Sequence, residues 1–503
     1  MPSDIADRVR ALVTGMDGIS VRSSAYTTAV LSRTRHRDGT PAFPRAVEWL
    51  LTHQKADGSW GGDIPHPHDR TISTLAAITA LTPTTPPPAH SAITAPRTTR
   101  AIDAGCAYLD RTQRSWQGDP YETIAFELLA PGLAASVPDP PAGAWAWQSQ
   151  FRALAEARHR KLQLIPRQRL MSEPTSLLFT LEAVEPGPDF GELSRFVAAN
   201  GSLVASPAAT AAYWSVTADP AALAYLQHTA DLHPDGGFPD VHPIRTFEQA
   251  WVLHSLHRAR LAVPEHSRIL AALQAHHHDQ QPGQYSWDPH CAIPESDDSA
   301  MVINLLLHHG HDPRLLDSLL VFEGEDHFAS LLHERDASIT ANAHVLDALL
   351  HRPDTYRPQI SKITDFLLRE RGNDPHWQDK WHTSPYYATS TALQALVVTA
   401  PPALLETTRQ WLIDTQHADG SWGSAGGTAE ESAYAVMGLD SLAPVHAAPP
   451  SDTWARAASY LGKHLDDTAY PELWVGKSLY SPHRVVQAAV LAGYHIASTR
   501  AGN

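Results

Sequence analysis

Cysteine is nearly absent: two residues, Cys106 and Cys291, stand in 503. Two thiols cannot build a disulfide framework or a cysteine-rich zinc site, and thiol chemistry is not expected. No apolar run approaches the roughly 18 residues that a membrane span requires. The opening Met-Pro-Ser-Asp-Ile-Ala-Asp lacks the basic-then-apolar order of a secretion signal, so a cytoplasmic protein is expected. Basic residues are in deficit, 38 Lys and Arg against 54 Asp and Glu, for a net charge of -16. A nucleic-acid partner needs a basic footprint and is not expected. Any phosphate would belong to a small ligand held by a few lysines. Strand-like alternation is also scarce.

What remains is helical. Alanine- and leucine-rich stretches with a period near 3.6 recur over 71–81, 299–308, 341–350 and 389–398, and most of the 40 prolines fall between such stretches. The chain is too long for one ordinary core, and two or three domains are expected. An internal repeat refines this: Gln-Lys-Ala-Asp-Gly-Ser-Trp-Gly at 54–61 returns at 416–423 with one change, each copy following a Trp-Leu pair at the same offset. Asp-Gly supplies a turn, glycine accepting positive φ, and the tryptophan packs back on its neighbours. A degenerate third copy is read at Pro234-Asp235-Gly236-Gly237-Phe238. Repeated helical hairpins closing into rings make α/α barrels, and two strong, distant copies predict two of them.

The densest chemistry lies at Pro294-Glu295-Ser296-Asp297-Asp298-Ser299, where three carboxylates occupy four positions and the chain then turns apolar. Crowded acids raise one another's affinity for a proton, so one can stay protonated at neutral pH. The structural alternative is an acidic helix start, where Asp and Glu cap amides and favour the dipole.

Motifs distributed along the whole chain carry a resemblance: Ser24-Ala25-Tyr26-Thr27-Thr28-Ala29, Glu122-Thr123-Ile124-Ala125-Phe126-Glu127, Pro174-Thr175-Ser176-Leu177-Leu178-Phe179, the acid cluster, Asp379-Lys380-Trp381-His382, Tyr386-Tyr387-Ala388-Thr389 and Leu473-Trp474-Val475-Gly476-Lys477. Together they resemble the bacterial class II diterpene cyclases that make copalyl-type and halimadienyl-type diphosphates. The resemblance implies two α-barrel domains, β over 1–19 plus 229–503 and an inserted γ over 20–228, with the active site at their interface. It implies protonation-initiated cyclisation of a linear prenyl diphosphate, geranylgeranyl diphosphate first, to a bicyclic labdane-related diphosphate. A farnesyl diphosphate cyclase giving a drimane-type product is the alternative, followed by a squalene–hopene type cyclase and a non-catalytic α/α-toroid binding protein.

By the same resemblance Asp297 is the general acid, Asp298 and Glu295 hold charge around it, and Asn342 is its hydrogen-bond partner. The family reads Asp-x-Asp-Asp, so Glu295 is a departure by one methylene. An alkene is a very poor base, and its donor must be a protonated carboxylic acid in a water-poor pocket. Trp287, Trp381, Tyr386 and Tyr387 are candidates for stabilising the carbocation, because aromatic faces attract cations without attacking them. Lys161, Lys380 and Lys477 are the expected diphosphate lysines. A bridging Mg2+ is expected on Glu127, with Glu122 and Asp119 nearby. The Asp-Asp-x-x-Asp of ionising terpene synthases does not occur, since Asp466-Asp467 is followed by Thr-Ala-Tyr. The product therefore keeps its diphosphate and passes to a downstream terpene synthase or another tailoring enzyme.

Overall fold

Two kinds of helix answer two kinds of apolar pattern. Ser296–His308 is buried at every residue from Ser296 to Leu306, and Pro67–Leu81 is buried almost throughout. Ser451–Lys463 buries only Thr453, Trp454, Ala457, Tyr460 and Leu461, a single stripe. A helix apolar all round belongs inside, and an amphipathic one covers it. The computed structural model describes residues 2–17, 21–82, 95–117, 122–137, 145–164, 166–276, 283–332, 334 and 336–502. Four expected helical stretches appear as Pro67–Leu81, Ser296–His308, Ile339–Leu349 and Pro385–Thr399.

The chain divides into two compact units. The first comprises 1–20, 243–473 and 481–503. Its inner helices, Arg245–Arg258, Ser296–His308, Ile339–Leu349, Pro385–Thr399, Ala429–Leu442 and His483–Ala501, each pack on the next, and the last packs on the first. Outside them lie Pro2–Thr14, His266–Ala275, Arg357–Arg371, Glu406–Asp414 and Ser451–Lys463, with a 3-10 segment at Pro313–Phe322. This closed double ring is an α/α barrel.

The second unit comprises 21–242 and 474–480. Ala25–Ser32, Pro67–Leu81, Phe126–Ser136, the 3-10 segment Ser176–Ala183 and Pro207–Thr217 close its inner ring. The expected boundary near 228 falls inside the helix Pro220–Leu232, which packs on Pro207–Thr217 and so belongs to this unit. A short antiparallel pair, Trp474–Val475 with Leu479–Tyr480, also belongs here. Buried Asp240 holds it by accepting from the Ser478 backbone N (2.7 Å) and Oγ (2.8 Å), and it also takes the hydroxyls of Ser24 and Thr27.

The sequence repeat is a repeat of hydrogen bonds. Trp60 Nε1 donates to Leu50 O at 2.8 Å and Trp422 Nε1 to Leu412 O at 2.7 Å. Asp57 and Asp419 each accept from the backbone N and hydroxyl of the serine two residues on. Each tryptophan N donates to a hydroxyl on the following helix, Thr74 or Ser432. Trp377, in a segment without the sequence motif, does the same: Nε1 donates to Leu367 O and N to Thr389 Oγ1. At 234–238 the weaker copy keeps the Asp235 turn and the bond from Phe238 N to Thr28 Oγ1.

Gly420 has φ of 93°, and a Cβ there would lie 2.3 Å from Arg456 O on the covering helix. Gly420→Ala therefore combines left-handed strain with a backbone clash, and should cost roughly 2–4 kcal/mol. Chemical denaturation of the variant beside the parent checks this; an unchanged midpoint would contradict it.

Candidate active site

The acid cluster is fixed by its backbone before any side chain acts. Glu295 bridges Tyr285 on one side and Leu331 on the other, and Ser296 N donates to Ser330 O at 2.9 Å. Ser299 Oγ donates to Glu295 O (2.6 Å) and accepts from Tyr285 N (2.9 Å), which anchors the first turn of Ser296–His308. Asp297 and Asp298 sit in that turn, both buried.

Three carboxyls so placed cannot all ionise. Burial first, and then the Asp298 charge, push Glu295 well above the usual carboxylate range. Burial pushes Asp298 up to about 7, with the Asp297 charge adding to the rise and the neighbouring Glu295 carboxyl opposing it. Neither side-chain oxygen of Asp298 has a hydrogen-bond partner, and a buried carboxyl so placed favours its protonated form. Asp297 points elsewhere: its Oδ1 meets His344 Nδ1 at 2.5 Å, with both side chains almost completely buried.

Asn342 does not fill the place expected of it. Its Oδ1 accepts from Phe328 N at 2.8 Å, and its Nδ2 donates to Phe328 O and Ser338 O at 2.9 and 2.8 Å. These bonds commit the amide to backbone. The reason is the turn repeat, because Phe328 to Asn342 is the same 14-residue step as Trp60 to Thr74 and Tyr285 to Ser299. Asn342 ties the turn down, and His344, two residues on, is the partner of Asp297. That recurring 14-residue spacing was the available signal.

An aromatic wall continues from His344. The Trp251 ring stands edge-on to it at 5.4 Å, Phe247 lies 4.3 Å from Trp251, and Trp251 Nε1 donates to Tyr387 Oη at 2.8 Å. Tyr434 follows 4.8 Å from Tyr387. His382 lies 4.7 Å from Tyr387, accepts from Ser384 N through Nδ1 and meets Glu430 Oε1 at 3.2 Å. Tyr387 is thus joined to Asp297 through Trp251 and His344. Tyr386 is not, being one position round the helix and stacked on Trp411 at 4.8 Å. Trp381 is half-buried under Lys380 Nζ, and half-buried Trp287 meets Phe247 through its backbone carbonyl. Trp251, Phe247, Tyr434 and His382 escaped the sequence reading, since the apolar runs around Trp251 and Tyr434 look like ordinary core.

The three lysines are in different circumstances. Lys477 is completely buried, donates to Glu182 Oε1 (2.6 Å) and Ser206 Oγ (2.9 Å), and lies over the Phe179 ring. Committed to that pocket, it is not a diphosphate lysine. Lys380 pairs with Glu334 at 2.8 Å, and half-exposed Lys161 pairs with Glu127. Glu122 is exposed, and Asp119 lies outside the described residues.

A family model described as the squalene-hopene cyclase C-terminal domain matches residues 326–458. Over longer spans the chain is 35% identical to a labda-7,13-dienyl diphosphate synthase of Streptomyces clavuligerus, covering 90% of this chain and 85% of that one. It is 33% identical to a copalyl diphosphate synthase of Streptomyces cyslabdanicus, covering 98% and 95%. Among solved structures, the ent-copalyl diphosphate synthase of Streptomyces platensis superposes with a TM-score of 0.79 at 30% identity, over 98% of this chain and 100% of that one. Fold and acid motif together define a protonation-initiated cyclase. The chain belongs to the bacterial class II diterpene cyclases.

That membership corrects the magnesium expectation. Class II cyclases start the reaction with an acid and do not need Mg2+, and among the described residues no group of three His, Cys, Asp or Glu could hold a metal. Glu127 is instead the counter-ion of Lys161. Among the described residues, no helix is long and apolar enough to cross a membrane.

Proposed function

We propose that this enzyme cyclises geranylgeranyl diphosphate to a bicyclic labdane-related diphosphate, with Asp297 protonating the terminal alkene. The contact between Asp297 and His344 carries the reading. An imidazole N–H donated to Oδ1 draws charge from the carboxyl and orients the proton on Oδ2 toward the substrate. Trp251, Tyr387 and Tyr434 supply faces for the carbocation, in a setting with little water to intercept it. Lys161 and Lys380 remain separate candidates for the diphosphate, which would replace Glu127 at the one or Glu334 at the other as counter-ion. The retained diphosphate makes the product a substrate for an enzyme that ionises or hydrolyses it. The relatives' names are those of labdane-type diphosphate synthases, so the farnesyl alternative is not favoured.

The test is incubation with geranylgeranyl and farnesyl diphosphates without added divalent metal, followed by dephosphorylation and mass-spectrometric identification. A bicyclic C20 alcohol is expected from the first, and consumption of neither would sink the reading.

The carboxyl cluster also sets a pH dependence. Glu295 and Asp298 are raised in the fold, so between the ordinary carboxylate range and about 7 the native state holds protons that the unfolded chain has released. Stability from these groups is present at low pH and lost as pH rises through that window, by roughly 1–3 kcal/mol. Melting midpoints should fall between pH 5 and pH 8, and fall less in Asp298→Asn; parallel curves for the two proteins would refute the assignment.

A further inference from the structure

Asp379 is buried and accepts five hydrogen bonds, yet it enters none of the chemistry above. Its Oδ1 takes Ser338 Oγ at 2.9 Å, Ile339 N at 2.6 Å and Thr340 N at 3.3 Å. Its Oδ2 takes Thr340 Oγ1 and Trp381 N, both at 3.0 Å. All but the last of these donors stand at the start of Ile339–Leu349, the helix that carries His344 in its second turn. A carboxylate at that end is favoured by the helix dipole as well as by its donors. The turn that bears Asp379 is closed by backbone pairing with His382, so the helix start and His344 move with this turn.

Lys380, the next residue, grips the segment that leads into the same helix. Its Nζ pairs with Glu334 at 2.8 Å, donates to Asp336 O and lies over the Trp381 ring. Both partners of the ion pair are partly exposed. Glu334 in turn is close to the acid cluster: its N donates to Leu331 O at 3.1 Å, and Leu331 pairs with the backbone of Glu295. Glu295, raised first by burial and then by the Asp298 charge, also feels the charge of Glu334. An accessible cation thus stands one residue from the carboxylate that seats the His344 helix.

We propose that Asp379 is a positioning residue through which the diphosphate, on engaging Lys380, sets His344 against Asp297, so that the diphosphate accelerates protonation as well as holding the substrate. This rests on Asp297 as the acid and on Lys380 as a lysine that meets the diphosphate. A diphosphate carries more charge than one carboxylate and takes Lys380 from Glu334. The turn then settles on the substrate, and Asp379 carries the helix start with it. The contact from His344 Nδ1 to Asp297 Oδ1, at 2.5 Å, registers shifts of a few tenths of an ångström, because hydrogen bonds weaken steeply with distance and angle. Binding energy from a part of the substrate remote from the alkene is in this way used in the transition state, and removing that part lowers kcat. No proton moves at Lys380 or Asp379.

The probe is inorganic diphosphate, added to the full-length protein with geranylgeraniol, which keeps the reacting alkene and lacks the diphosphate. In the parent, diphosphate should raise kcat for geranylgeraniol about tenfold with little change in KM. In Lys380→Ala, and separately in Asp379→Asn, the ratio of rates with and without diphosphate should fall to about one. A merely structural Asp379 would lower the melting temperature and leave that ratio as in the parent. The coupling is overturned by a parent that shows no acceleration, by acceleration confined to KM, or by acceleration that survives in either variant. Lys380→Ala, at a partly exposed side chain, keeps the test decisive if Asp379→Asn does not fold. An unchanged KM for geranylgeranyl diphosphate in Lys380→Ala would instead remove Lys380 from the diphosphate. A parent that consumes no prenyl diphosphate would defeat the cyclase assignment itself.

Discussion

Asp297→Asn is expected to lower turnover of geranylgeranyl diphosphate by about 10³-fold or more, toward the upper end of what a positioned acid supplies, because an alkene accepts a proton from little else in a dry pocket. Asparagine preserves shape and can still meet His344, so the fold should survive, and unchanged circular dichroism beside lost turnover identifies a chemical defect. Activity above a tenth of the parent's would remove Asp297 from its role.

His344→Phe should follow with a loss of about 10²-fold, chiefly in kcat, since the ring is replaced but the donor to Asp297 Oδ1 is gone. His344→Asn, which keeps a donor on a shorter stem, should recover part of it. Because the two residues act as one unit, Asp297→Asn combined with His344→Phe should be barely worse than Asp297→Asn alone. Additive losses would mean that His344 works on something other than the acid.

The fold was largely legible in the sequence, and the reason is periodicity. Fully apolar helices such as Ser296–His308 and striped ones such as Ser451–Lys463 announce their layer directly, and the Asp-Gly-Ser-Trp turns mark where pairs join. Trp377 shows the limit: the same bonds form around a sequence lacking the glycine and serine, because the tryptophan indole and a hydroxyl on the next helix suffice. The acid cluster was legible from charge density. Its partner was not, since Asn342 and His344 stand two apart on one helix and only the packing tells which faces the acid. Lys477 misled for a related reason, as a motif lysine reads alike whether it meets a ligand or Glu182. The metal carboxylates failed because spacing cannot reveal that Glu127 already holds Lys161.

The hairpin clasped by Asp240 has a consequence for biosynthesis. The second unit has all its helices once residue 242 is made, yet residues 474–480, with the Lys477 to Glu182 ion pair and the Ser478 bonds, arrive only after residues 243–473 of the first unit have been translated. At ordinary elongation rates that delay is on the order of 10–50 s. Throughout it Asp240 and Glu182 stand buried without their last donors, a nascent ring closed by its helices but not yet locked. Chaperone dependence and proteolytic vulnerability during synthesis should therefore concentrate in this unit, although it is the first to emerge.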